Sequence, residues 1–307
     1  MIEPGPGILV VDKVAGVTSF DAVALARRAL GVRRVGHAGT LDPAATGVLP
    51  LLVGEATKLT PYLMDHDKEY VATVRFGVTT DTQDLTGRVL ATAAVTGLSR
   101  ERLEVVCRPF VGRIAQTPPM FSAVHHEGQR LYELARRGVE VERTPREVVV
   151  SSIAVDEVSG PTATLRIVCG KGTYIRALAS DIGAQFGCGA ALERLTRTRV
   201  GPFTLRNAIP WSELADGRRD SLRTRLLAMD AALAAWPAVR LDAGRTRQFT
   251  HGQPADLVAP MASGQLVRVY DEQEMLLGVG ETDASGQSVR PVRMLHADRS
   301  GTSVRPA

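Results

Sequence analysis

Cysteine is scarce in this chain: Cys107, Cys169 and Cys188 stand far apart among 307 residues. Such spacing makes neither a disulfide framework nor a zinc-ligand pattern, so the three read as reduced thiols in or near the core. The six histidines include the neighbours His125 and His126, which point apart on a helix or a strand. No cluster of His, Cys and carboxylates completes a ligand set, and no metal is predicted. No run of 18 apolar residues occurs, and the opening MIEPGPGILVVDK lacks the basic start and small-residue cleavage site of a secretory signal. The expected setting is the cytoplasm, away from any membrane.

Lysine is scarcer still relative to its class, because only Lys13, Lys58, Lys68 and Lys171 are lysines among 37 basic residues. Arginine suits bidentate phosphate contacts and stacking on bases, but a GC-rich genome gives the same bias, and the bias is read as mostly genomic. The net charge of +4 and pI of about 9.2 are compatible with a polyanionic partner without demanding one. A 44% hydrophobic content fills a substantial core, enough for one large domain and a small one.

The segment Gly36-His37-Ala38-Gly39-Thr40-Leu41-Asp42-Pro43-Ala44-Ala45-Thr46-Gly47 is the most informative. Gly36, Gly39 and Gly47 admit backbone angles closed to other residues, while Pro43 fixes its own φ and pushes Asp42 away from the α region. By spacing alone, Asp42 caps a helix or makes an Asx turn, as most Asp-Pro pairs do. The alternative is a carboxylate aimed at chemistry.

Around this loop the pattern alternates between strands and helices. Ile8–Val11 predicts a strand, and Thr18 or Ser19 caps a helix that Gly31 stops near Leu30. Val48–Val53 is strand or helix start, since a short apolar run has no deciding period. Tyr70–Phe76 predicts a strand, 77–87 a polar turn region, Arg88–Ala91 a strand and Ser99–Phe110 a helix. The polar segment 117–146 predicts a short helix at Gln129–Arg137, whose apolar stripe leaves Arg130, Arg136 and Arg137 on its surface. Strands at Val148–Val158 and Ala163–Cys169 precede a helix from about Thr173 to Phe186, whose first turn presents Lys171, Tyr174 and Arg176. A charged stretch at 216–220 precedes a helix ending near Trp236-Pro237, and short strands with turns fill 239–295. The class is α+β.

HAGTLDPAATGVLP resembles the active-site motif of pseudouridine synthases, in particular the bacterial TruB family of tRNA pseudouridine-55 synthases. The resemblance includes 7–13, Asp67-Lys68-Glu69-Tyr70, Arg75-Phe76-Gly77, Thr80-Asp81-Thr82, 130–136 and 170–176, covering most of residues 7 to 203. It implies a mixed, largely antiparallel sheet with the site in a central cleft. A catalytic domain over 1–236 would carry an RNA-gripping insertion at 117–146, ahead of a β-rich, PUA-like RNA-binding unit over 237–297 and a disordered tail over 298–307. The implied activity is isomerisation of uridine 55 in the T arm of tRNA, without a cofactor, by flipping the base out of the RNA; with no oligomerisation surface evident in the sequence, a monomer is the default expectation.

The same resemblance distributes the roles. Asp42 would attack ribose C1′, assist loss of the 2′ proton or add to C6 of the base, and Arg176 would keep it ionised and oriented. Tyr70 would stack on the extruded base and take part in proton transfer, Tyr174 would line the pocket and Leu195 would form an apolar wall. His37 and Lys13 would bind substrate, as would Arg130, Arg136 and Arg137 on the insertion. Val14 and His125 depart from the family's usual proline and lysine; neither removes a group the chemistry needs. Rival readings are a non-catalytic RNA-binding protein on the same scaffold, an RNA-guided synthase and a glycoside hydrolase. The last requires two opposed carboxylates, and only one stands in a distinctive motif.

Overall fold

The first strand, Gly7–Lys13, lies antiparallel to Thr46–Val53 over its whole length, and both are buried on both faces. That double burial is why the Val48–Val53 run shows no period, and it settles the run as strand. Leu9, Val11, Leu49 and Leu51 face the Ser19–Leu30 helix through Ala22, Val23, Ala26 and Leu30. Ile8, Val10, Val48 and Leu52 pack on Ala56, Leu59 and Leu63 on the other side. Thr18 caps the helix in a reciprocal box with Asp21, and Gly31 closes it at φ 65°. This computed structural model describes residues 5–295; the expected tail over 298–307 lies outside them, as do the last residues of the expected C-terminal unit.

The two strands belong to a ten-stranded mixed sheet, largely antiparallel. Its order runs Ile209–Pro210, Gly7–Lys13, Thr46–Val53, Ala190–Val200, Lys68–Phe76, Thr162–Cys169, Arg146–Ser159, Gly112–Gln116. Ala190–Val200 sits at its centre, parallel to Thr46–Val53 and antiparallel to Lys68–Phe76. Two register shifts, at Leu192/Arg194 and Arg197/Arg199, break its alternation. The Ile175–Phe186 helix lays Leu178, Ala179, Ile182 and Phe186 on the half of the sheet that carries Val74 and Leu165. Burial in this core pushes the Cys169 thiol up to about 11 and the Cys107 thiol up to about 12, as expected of inert structural thiols.

Three expected elements differ. The insertion helix is Leu131–Arg136, because Gln129 and Arg130 instead pair with His126 and His125 in a two-stranded ribbon. The expected polar turn at 77–87 contains the strand Val78–Thr80, paired with Val89–Thr92. The helix expected between the charged stretch and Trp236 is broken into Arg219–Thr224 and a 3-10 turn at Met229–Leu233, since Leu227 exchanges backbone hydrogen bonds with Ile8 at 2.9 Å, and a further short helix, Trp211–Asp216, precedes the stretch. Among the described residues no helix is long and apolar enough to cross a membrane.

A second, five-stranded sheet starts at Ala238–Arg240 and ends at Ser288–Met294, with a helix at Ala243–Thr250 that the strand pattern had hidden. Its own core contains Val239, Leu241, Phe249, Val267 and Val289. Its other face is not independent: Tyr270, Leu276, Val279 and Leu295 share one apolar cluster with Ile8, Val10, Leu52, Leu59 and Leu63 of the first sheet's layer.

Candidate active site

The Asp42 loop hangs between the Val35–His37 and Thr46–Val53 strands and is held from several directions. Buried Ser19 both donates to the Leu41 carbonyl at 3.2 Å and accepts from the Leu41 amide at 2.9 Å. The Pro43 carbonyl accepts from the Gly16 amide at 2.9 Å and from the Lys13 ammonium at 3.2 Å. At Gly47, φ is 104° and a Cβ would lie 2.2 Å from the Arg197 carbonyl, so only glycine passes there. Gly39 is also left-handed, whereas Gly36 is an ordinary strand residue opposite Leu52.

The Asp42 side chain caps no helix and closes no Asx turn among the described residues. Its Oδ2 accepts from Arg176 Nε at 2.7 Å, and the carboxylate is 40% exposed while the arginine side chain is only 6% exposed. Arg176 is itself oriented on the first turn of its helix by donating to the Thr82 carbonyl at 3.0 Å and to the Phe121 carbonyl at 2.8 Å. It is therefore no surface helix residue. Asp84 is a second carboxylate at this guanidinium, with Oδ2 3.8 Å from Nε. Its Oδ1 is tied down locally, accepting from Thr82 Oγ1 at 2.7 Å and from the Thr86 amide at 3.0 Å. Asp84 thus makes the local turn that the Asp-Pro spacing had suggested for Asp42.

Tyr70 is 8% exposed and lies in one cluster with Leu41, Ala45, Ile175 and Leu195, an apolar surface beside the carboxylate. Burial raises its pKa above the ordinary value, so the hydroxyl keeps its proton at neutral pH. Tyr174 immediately precedes the Arg176 helix, and Gln116 fixes its backbone by donating to its carbonyl at 3.1 Å and accepting from its amide at 2.8 Å. Burial raises the Tyr174 pKa as well.

His37 is half-buried, and burial, reinforced by the Arg197 charge, lowers its pKa and leaves the imidazole neutral at pH 7. Its buried Nδ1 has no protein partner among the described residues. Lys13 is fully buried, and its ammonium donates to the carbonyls of Val14 at 2.9 Å, Val17 at 2.8 Å and Pro43 at 3.2 Å. That geometry makes it a prop beneath the loop. Burial pulls its pKa down to about 8, opposed by the Asp42 charge. Arg130, Arg136 and Arg137 are exposed on the insertion, which has its own small core of Met120, Leu131 and Leu134. Arg136 lies 5.6 Å from the Tyr132 ring, and Arg137 donates to Gln129.

Three residues of this constellation escaped the sequence reading. Asp84 lies two positions beyond the Thr80-Asp81-Thr82 match, Gln116 one position before the insertion, and Arg197 on the strand whose bulges erased its alternation.

A single exposed carboxylate on a buried guanidinium, beside an apolar wall and a buried phenol, equips a site for chemistry that needs one anion and a trapped flat ring. The model described as TruB family pseudouridylate synthase (N terminal domain) matches residues 27–175, which makes the class a pseudouridylate synthase. Two TruB C-terminal models match residues 176–234 and 237–295. The tRNA pseudouridine synthase B of Dechloromonas aromatica is 46% identical over 280 residues, covering 91% of this chain and 92% of the relative. This chain belongs to the TruB family of pseudouridine synthases. In structure it is similar to a chain of a Cbf5-Nop10-Gar1 complex, with a TM-score of 0.74 and 27% identity, covering 96% of this chain and 86% of that one. A chain of an H/ACA RNP bound to a substrate RNA containing 2'-deoxyuridine gives a TM-score of 0.72 at 25% identity, covering 95% and 86%.

Proposed function

We propose that this protein isomerises uridine to pseudouridine at position 55 in the T arm of tRNA, as a stand-alone monomer without a cofactor. The observation that carries the reading is the Asp42–Arg176 pair at 2.7 Å, open to solvent on the carboxylate side only. The reaction breaks the bond from ribose C1′ to uracil N1, turns the base and joins C1′ to C5; N1 gains a proton and C5 loses one. No net redox change occurs. Attack at C1′, removal of the 2′ proton and addition at C6 share one requirement, an ionised Asp42, and the guanidinium at its Oδ2 favours that form.

Tyr70 and Leu195 provide the surface that holds the detached uracil, and the Tyr70 hydroxyl, protonated at neutral pH, serves proton transfer at the base. Tyr174 and His37 meet the extruded nucleotide. Lys13 acts one step back, by supporting Pro43. Arg130, Arg136 and Arg137 grip phosphates from the insertion, and the second sheet adds RNA contacts farther out.

Incubation with unmodified tRNA followed by position-resolved pseudouridine mapping tests the reading. One new pseudouridine at position 55 is expected. Modification elsewhere would sink the T-arm assignment, and none at all would sink the activity.

A further inference from the structure

Arg197 is the largest fully buried side chain, 1% exposed, and no carboxylate lies within ion-pair distance of it among the described residues. An uncompensated cation inside a protein is costly to desolvate, so its neighbours show what retains it. Nε donates to the Val48 carbonyl at 2.8 Å, Nη2 to the Gly39 carbonyl at 3.1 Å and Nη1 to the Thr40 carbonyl at 3.4 Å. The three acceptors lie on both sides of Asp42, two before it and one after. A planar fork with five donors spans both ends of the loop at once, which a single ammonium cannot do.

Its place in the sheet is equally specific. Arg197 is opposite Gly47 on one neighbouring strand and opposite Tyr70 on the other. The same guanidinium acts on the Tyr70 hydroxyl, its charge opposing the rise in pKa that burial causes. The Asp42 loop and Tyr70 therefore meet on one side chain, behind the surface that faces solvent.

We propose that Arg197 is a positioning residue for the reaction: it locks both ends of the Asp42 loop and aligns Tyr70 with it, without touching RNA. Arg176 steers the carboxylate from the front and Arg197 fixes the backbone from behind. The proposal rests on the synthase reading above. Because a misplacement of about 1 Å in a reacting group costs on the order of 100-fold in rate, a loosened loop lowers turnover while the outer RNA contacts persist.

The test uses full-length Arg197→Lys and Arg197→Gln with unmodified tRNA, measuring cooperative melting, binding affinity and single-turnover rate at saturating enzyme. The lysine variant keeps a cation but loses the span, and it is expected to melt cooperatively, bind tRNA within about twofold of wild type and react about 100-fold more slowly. The glutamine variant is expected to be slower still. In the Tyr70→Phe background the further loss from Arg197→Lys is expected to shrink, as a shared function requires. A lysine variant within fivefold of the wild-type rate overturns the proposal, as does a rate that falls only in step with affinity. Failure of the lysine variant to fold would make Arg197 a folding residue and overturn it too. Wild-type protein in the same assay separates the cases, since an inactive wild type would refute the synthase reading itself.

Discussion

Asp42 and Arg176, 134 positions apart in sequence, meet at 2.7 Å with the arginine buried and the carboxylate open. The asymmetry fixes the direction of approach: a substrate reaches the anion and cannot displace the cation behind it. Arg176 is held by two backbone carbonyls besides Asp42, so its position survives loss of the charge it serves.

Asp42→Asn is therefore expected to fold and to bind tRNA, yet to form no pseudouridine. Shape is kept while the anion is removed. Tritium release from tRNA carrying 5-tritiated uridine measures it, and activity near wild type would remove Asp42 from the mechanism.

Lys13 gives a pH-dependent stability. Burial holds its pKa at about 8 in the folded protein against an ordinary 10.5, so between those limits the unfolded chain holds a proton the native state has shed. Stability from this group therefore rises with pH across that window, by about 3 kcal/mol at most. Urea unfolding of wild type and Lys13→Met at pH 7.5 and pH 10 is expected to show the wild type gaining on the variant. A difference that stays flat with pH, or moves the other way, contradicts the buried-ammonium account.

Replacing Arg136 and Arg137 together with glutamine is expected to weaken tRNA binding and flatten its salt dependence, because fewer counterions are released per complex. The saturated rate should hold, since neither residue contacts Asp42 or Arg176. Unchanged affinity and salt slope would make this an ordinary solvated face.

A chain ending at Trp236 is expected to lose cooperative melting. Removing Tyr270, Leu276, Val279 and Leu295 bares apolar side chains such as Ile8, Leu52 and Leu59. Each large apolar side chain so exposed forfeits on the order of 1.5–3 kcal/mol, and a few such losses match the whole stability of a domain. The Lys58 ammonium would also lose the Met294 carbonyl at 3.1 Å. A sharp melt near the wild-type temperature would show that the first sheet stands alone.

How much of this was legible in the sequence depends on whether local rules governed each element. The Ser19–Leu30 and Ile175–Phe186 helices were readable because cap, stripe and terminal glycine agree. Asp42 and Arg176 were readable through motif resemblance. Arg197 was not, because two bulges shift the phase of its strand and leave no period-2 alternation to mark it as an inward residue. Asp84 looked like one more loop acid until the fold brought it to Arg176. Lys13 was recognisable as part of the site, but its direction, away from solvent and into three carbonyls, is set by tertiary packing.

The Phe121 carbonyl, which accepts from Arg176 Nη2, belongs to the root of the insertion that carries the exposed arginines. On the proposed reading, the guanidinium that holds the Asp42 carboxylate would thus also register where the base of that insertion sits. An RNA that displaced Phe121 would withdraw an acceptor from Arg176 and disturb Asp42 in the same movement. Discrimination between RNAs would then not have to come from affinity: a poor substrate could be held and still be left unmodified.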